Sequence, residues 1–205
     1  MKETFSLLDF FTMGGPVMWP LALFSVMVLA VTLERLVFFL SRDFRTHDLA
    51  GRICENPSSG LSVLDNEKSR RFCIPAFRAV LEDNNLDAAE KKCSAVASAL
   101  AEQTYRNLTF LSALATIAPV TGFLGTVTGM ISAFMAIAQA DSISAGLAAT
   151  GIFQALITTA FGLFIAVAAT VSYHIFSAVS DRFAASLENS CNLILAARNE
   201  NKSKE

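Results

Sequence analysis

Between Leu108 and Ala140 there is no Asp, Glu, Lys, Arg or His, and between Ser142 and Tyr173 there is none again; Asp141 alone separates the two stretches. A chain that moved ions through its own titrating side chains would place an acid or a histidine within such segments, near mid-membrane. Charge is scarce throughout, at 17% of residues, where a soluble domain carries about a quarter. No basic excess is present either, and the net charge of −2 excludes a nucleic-acid partner held by phosphate contacts. Catalytic groupings are missing: no Ser/His/Asp or Cys/His set lies at membrane depth, and His47 and His174 are isolated. The chain is therefore not expected to be an enzyme or to hold a cofactor. "GFLGTVTG" has glycines but no lysine and lies inside an apolar run, so it is not a phosphate-binding loop. The cysteines Cys54, Cys73, Cys93 and Cys191 include no CxxC pair, which argues against a metal site and for free thiols.

What fills the space is apolar. Of 205 residues 53% are hydrophobic, seventeen are phenylalanine, and the mean hydropathy is +0.49. Three segments reach the roughly 20 apolar residues that a membrane span needs, so the expected fold is an all-α integral membrane protein with three transmembrane helices. The divisions are 1–15, an outer amphipathic segment; 16–40, the first span; 41–108, a cytoplasmic helical region; 109–138, the second span; 139–148, an outer loop; 149–175, the third span; and 176–205, a cytoplasmic helix and tail. A cleaved signal peptide is the alternative for the first span. It fits poorly, because the apolar stretch is too long, no A-x-A site follows, and Glu34-Arg35 comes next.

Orientation follows the basic residues. Ten of the sixteen Lys and Arg fall within 41–108 and four more follow residue 181, while the 139–148 connection has none. By the positive-inside rule, 41–108 and the C-terminus are cytoplasmic and the N-terminus is outside; all four cysteines then lie where thiols stay reduced. Within 41–108, "NPSSG" (56–60) and "EDNN" (82–85) read as breaks, with Pro75 ending or kinking a helix between them. Asp87 with Glu90 resembles a capped helix start. No Gly or Pro follows before Pro119, so a helix from Asp87 can run unbroken into the second span, about 50 residues or roughly 75 Å. The third span likewise continues past Tyr173 to make the later helices a stalk. "FSLLDFF" (5–11) is too short to span and is expected to lie on the outer leaflet.

Inside the spans are hydroxyls and one amide: Thr121, Thr126, Thr128, Gln154, Thr158 and Thr159. Gly122, Gly125 and Gly129 lie at i, i+3 and i+7, one stripe on the second span, and Ala155, Gly162, Ala166 and Ala169 form a comparable stripe on the third. Small stripes let helices approach in lipid, where no hydrophobic drive brings them together. Each threonine alone can back-bond to a carbonyl one turn earlier. Gln154 cannot satisfy its amide on its own helix and should face a cavity, a helix or a partner. Pattern alone gives tightly packed spans with a weakly polar, uncharged track, suited to a channel wall that needs another protein's titratable group, or to a non-conducting scaffold.

Specific stretches carry a resemblance: "GGPVMWPL" and "ERLVFF" in the first span, "APVTGFLGTVTGMISAF" in the second and "GIFQALITTAFGLFIAVAA" in the third. Together they resemble the MotA/TolQ/ExbB family of ion-driven motor subunits, closest to its ExbB and TolQ branch, over essentially the whole chain. The resemblance implies a homopentamer in the bacterial inner membrane, with the N-terminus periplasmic. Its second and third spans would line a pore that holds two copies of a single-span partner of ExbD or TolR type, whose aspartate carries the proton. Work would pass to a TonB- or TolA-like transducer, and the outer surface would meet membrane lipids. Motif by motif, the family's pore threonines fall on Thr126 in "GTVTG" and Thr159 in "ITTAFG", with Gln154 also on the ion pathway. Thr158, Gly122, Gly125, Gly129 and Gly162 have secondary pore or packing roles. Many members carry glutamate where this chain has Gln154, whose amide cannot relay a proton. The sodium-driven alternative within the family therefore stays open.

Overall fold

The computed structural model describes residues 14–55, 59–66, 71–83, 85–139 and 145–202. The segment expected on the outer leaflet and residues 140–144 of the 139–148 connection fall outside them. The helices are α1 (Met18–Ser41), α2 (His47–Glu55), α3 (Gly60–Asn66), α4 (Ile74–Glu82), α5 (Leu86–Tyr105), α6 (Leu108–Gln139) and α7 (Ala145–Lys202). Among the described residues there is no strand, only an isolated bridge between Asp43 and Arg71. Three stretches are long and apolar enough to cross a membrane: Met18–Ser41, Leu86–Gln139 and Ala149–Asn201. The expected all-α membrane fold is thus found, with α7 continuing for 58 residues.

Three local readings need correction. α5 and α6 are separate helices: Tyr105 ends one, and Asn107 adopts φ 64° before Leu108 begins the next. Asparagine tolerates this left-handed conformation better than other residues with a Cβ, and its side chain donates to Glu34 Oε2 at 2.7 Å. Pro75 starts a helix rather than ending one, since it occupies the first turn of α4, where no amide hydrogen is needed and its fixed φ suits the helix. The cap of α5 is Asn85, not Asp87: the Asn85 side chain accepts from the Asp87 amide at 3.1 Å, and Asp87 supplies the acidic first turn that favours a helix N-terminus.

The chain divides into two compact units, residues up to Glu34 with Asn107–His174, and Arg35–Arg106 with Ile175–Glu205. In the first, large apolar side chains point outward: Trp19, Leu23 and Leu29 on α1, Phe123 and Phe134 on α6, Leu156 and Phe164 on α7. So much exposed apolar surface is untenable in water and costless in acyl chains.

The second unit has a core of the soluble kind. Leu49 and Ile53 of α2, Leu64 of α3, Phe77 and Val80 of α4, Leu100 of α5, and Leu187 and Ile194 of α7 are all buried together. Phe38, Phe44, Phe72 and Phe183 meet at centroid distances of 5.0–6.0 Å, and Phe39 stacks on Phe176. Two guanidinium groups close helix ends: buried Arg35 donates to Gln103 O and Thr104 O at the end of α5, and Arg198 donates to Val80 O and Asp83 O at the end of α4. Each supplies charge-assisted donors to carbonyls that have no partner further along their helix.

Candidate functional site

The first unit contains a seam where α6 and α7 touch through bare backbone. Gly122, Gly125 and Gly129 are buried on α6, as are Ala118 and Ala133 at either end of the same stripe. Facing them on α7 are Gly151, Ala155, Thr158 and Gly162. A Cβ on Gly122 would lie 2.9 Å from Thr158 O and 3.2 Å from the Gly162 Cα; one on Gly162 would lie 2.7 Å from Ala118 O. These contacts are backbone to backbone, so the small residues of both stripes are what permits the approach.

Against this seam the threonines divide into two kinds. Thr121 donates to Ile117 O at 3.0 Å, Thr126 to Phe123 O at 2.6 Å, Thr128 to Leu124 O and Gly125 O, and Thr158 to Ala155 O at 2.8 Å. Each of these is satisfied on its own helix, the pattern that bland packing predicts. Thr159 differs. Its hydroxyl crosses the seam and donates to Gly122 O at 3.1 Å. In a regular helix that carbonyl receives the amide four residues on, that of Thr126, so Thr159 arrives at the Thr126 turn. Both residues singled out by motif are half-buried.

Because each hydroxyl gives its one hydrogen to a carbonyl, what it offers a further group is lone pairs. The seam is an acceptor-lined, uncharged surface, and no group on it titrates near neutral pH.

Thr158 is fully buried and wedges against Gly125, where an added Cβ would meet its Oγ1 at 2.3 Å. Gln154 is held elsewhere: its amide nitrogen lies against Gly15, 2.1 Å from where a Cβ would stand. Gly15 has φ +70°, a conformation that glycine adopts freely and other residues rarely. The structure thus gathers Thr158, Thr159 and Gly122, Gly125, Gly129 and Gly162 at the seam, with Thr126 one helical turn from Gly122 and the Gln154 amide resting on the turn before α1. Gly15 and Gly151 were missed from sequence; "GG" before an apolar run was the available signal for the first.

Residues 65–189 match the MotA/TolQ/ExbB proton channel family. The chain is 30% identical to an ExbB-like biopolymer transport protein of Synechocystis sp., over 85% of this chain and 72% of that protein. It is 29% identical to biopolymer transport protein exbB1 of Vibrio cholerae serotype O1, over 88% and 83% of the two chains. A shorter match, 38% identical over 80 residues, joins 39% of it to 35% of the Tol-Pal system protein TolQ of Pseudomonas aeruginosa.

Proposed function

Since the chain belongs to the MotA/TolQ/ExbB proton channel family, we propose that it is an ExbB/TolQ-like subunit of a proton-driven motor in the bacterial inner membrane. Five copies would form a channel wall around two copies of a single-span ExbD/TolR-like partner, with the N-terminus periplasmic and the second unit cytoplasmic. The proton motive force would drive work on a TonB/TolA-like transducer. Support comes from the biopolymer transport and Tol-Pal names of its relatives.

The observation that carries the reading is the Thr159 hydroxyl reaching Gly122 O at the Thr126 turn, within the stretches 108–140 and 142–173 that contain no Asp, Glu, Lys, Arg or His. A proton path needs a titrating side chain, and a partner's aspartate supplies the one these helices lack. The acceptor-lined wall gives that aspartate a defined preference. A protonated carboxyl can donate to a threonine oxygen, whereas a carboxylate finds no free hydrogen there, so the site favours the neutral form and raises the acid's pKa. Protonation then lets the partner helix lie against the threonines, and ionisation expels it toward water. One charge moving through 100 mV supplies about 2.3 kcal/mol, enough to bias one such step, and a ring repeats the step. Gln154 has no proton to give or take in this scheme; beside Gly15 it fixes the entry to α1.

The test is Thr159→Val, of nearly the same shape. Transport or envelope function should be lost while the ring and its partner still purify together; undiminished function would refute the reading. A scaffold role has its own support in Thr121, Thr126, Thr128 and Thr158, which are satisfied on their own helices. Native mass analysis with a single-span ExbD/TolR-like partner separates the two: a pentamer with two partner copies supports the motor, and another ring size or no partner uptake supports the scaffold. Work that requires sodium would identify the sodium-driven variant.

A further inference from the structure

The second unit holds a chemistry that the seam does not use. Cys93 on α5 and Cys191 on α7 are 98 residues apart in sequence, yet their thiols meet in a hydrogen bond. Both belong to the buried core, 2% and 4% exposed. They also share the wall of a groove of about 300 Å³ between α5 and α7, whose polar lining includes Glu90, Ser94, Ser98 and Glu188. A water occupies about 30 Å³ of liquid, so the groove has room for a small hydroperoxide beside the two cysteines. Cys73 is close by but fully buried, does not line the groove, and points its thiol at Arg45 O, 3.8 Å away.

We propose that Cys93 and Cys191 are a redox-modification site, at which a hydroperoxide converts the two thiols into a reversible disulfide tying α5 to α7. Cys93 is the attacking thiol and Cys191 the resolving one. The hydrogen bond from Cys191 holds the Cys93 thiol below its usual range against the opposing effect of burial. The same hydrogen bond, then burial, then the nearby Cys93, Cys73 and Glu188, hold Cys191 protonated. The Cys93 thiolate attacks the terminal peroxide oxygen; an S–O bond forms, the O–O bond breaks, and the departing hydroxide or alkoxide takes up a proton as water or alcohol. Cys191 sulfur then attacks Cys93 sulfur, the S–S bond forms, the S–O bond breaks, and the leaving hydroxide takes the Cys191 proton as water. Two electrons pass from the dithiol to the peroxide, and a thiol reductant returns them. The site needs neither the ring nor the partner of the proposed motor.

The experiment uses the full chain in native membranes. Membranes are treated with hydrogen peroxide, denatured, alkylated, and mapped by non-reducing peptide mass analysis. The four free cysteines should fall to two that alkylate, with Cys93 and Cys191 in one crosslinked peptide that dithiothreitol releases. Cys191→Ser should leave Cys93 oxidised without a crosslink, whereas Cys93→Ser should leave Cys191 a thiol that still alkylates. The wild-type map decides the matter even if a variant folds poorly. A crosslink through Cys54 or Cys73 instead, sulfinic acid at Cys93 with no crosslink, or four thiols still alkylated would each overturn the proposal.

Discussion

Replacing Gly125 by alanine puts a methyl group where Thr158 already is. The new Cβ would lie 2.3 Å from Thr158 Oγ1, 2.5 Å from its Cβ and 3.0 Å from its Cγ2. Carbon atoms in contact sit at about 3.5–4.0 Å, so the Cβ pair is too close by about 1 Å or more. Rotating Thr158 cannot relieve it: the Cβ does not move with χ1, and rotation breaks the hydroxyl's bond to Ala155 O. The helices must part, and overpacking of this kind costs about 1–3 kcal/mol, a population change of roughly 5- to 150-fold. The pairing of atoms also dictates which second change rescues it. Gly125→Ala with Thr158→Ala keeps the Cβ at 2.5 Å and should recover only part of the loss. Gly125→Ala with Thr158→Gly removes every one of those atoms and should recover most of it, less the penalty of glycine within a helix, about 1 kcal/mol. Thermal unfolding of the purified chain in detergent, run as a double-mutant cycle with both Thr158 single variants, reads this order directly. If Gly125→Ala is as stable as the parent, or Thr158→Ala rescues as fully as Thr158→Gly, the packing described for the seam is wrong.

Gly162→Ala should resist all side-chain rescue, because its nearest neighbours are Ala118 O at 2.7 Å and the Gly122 Cα at 3.0 Å, atoms that no substitution trims; the same unfolding measurement shows it. Asn107→Ala should destabilise by about 1–2 kcal/mol through its left-handed backbone and the lost bond to Glu34, whereas Asn107→Gly should lose less, as thermal unfolding of both variants would show. Lys92 holds the Asp83 carboxyl below the usual aspartate range, chiefly through their 2.6 Å hydrogen bond. Its small contribution is therefore present above the ordinary aspartate pKa and lost as pH falls through the lowered value. Hydrogen exchange in the first turn of α5 should respond to Lys92→Gln at pH 7 and not at strongly acid pH.

The spans and their small-residue stripes were legible because each depends on one helix: apolar length and i, i+3, i+7 spacing are properties of a single segment. Thr126 and Thr159 were each named from motifs, but the bond that Thr159 makes across the seam ends on a backbone carbonyl, Gly122 O, and backbone carries no letter. The Asn107 break had only a weak signal, since asparagine after a helix is tolerated there rather than required. Pro75 was misread because proline both ends helices and begins them, and the choice rests on what precedes it: Phe72 and Cys73 are tied to Asp43 and Arg45, 29 and 28 residues earlier. The contact of Cys93 with Cys191 was invisible, because no local spacing relates two helices that distant in the chain.

The self-satisfied threonines bear on how the protein is made. A helix entering the bilayer before its neighbours has no one to hydrogen-bond with, and each unmet hydroxyl would then tax insertion. Thr121, Thr126, Thr128 and Thr158 bring their acceptors with them, so α6 and α7 can each enter the membrane as finished pieces. Thr159 is the exception: it can back-bond within α7 on the way in and exchange that acceptor for Gly122 when the seam closes. A hydroxyl bonded across the two helices, as it is here, therefore marks a closed seam.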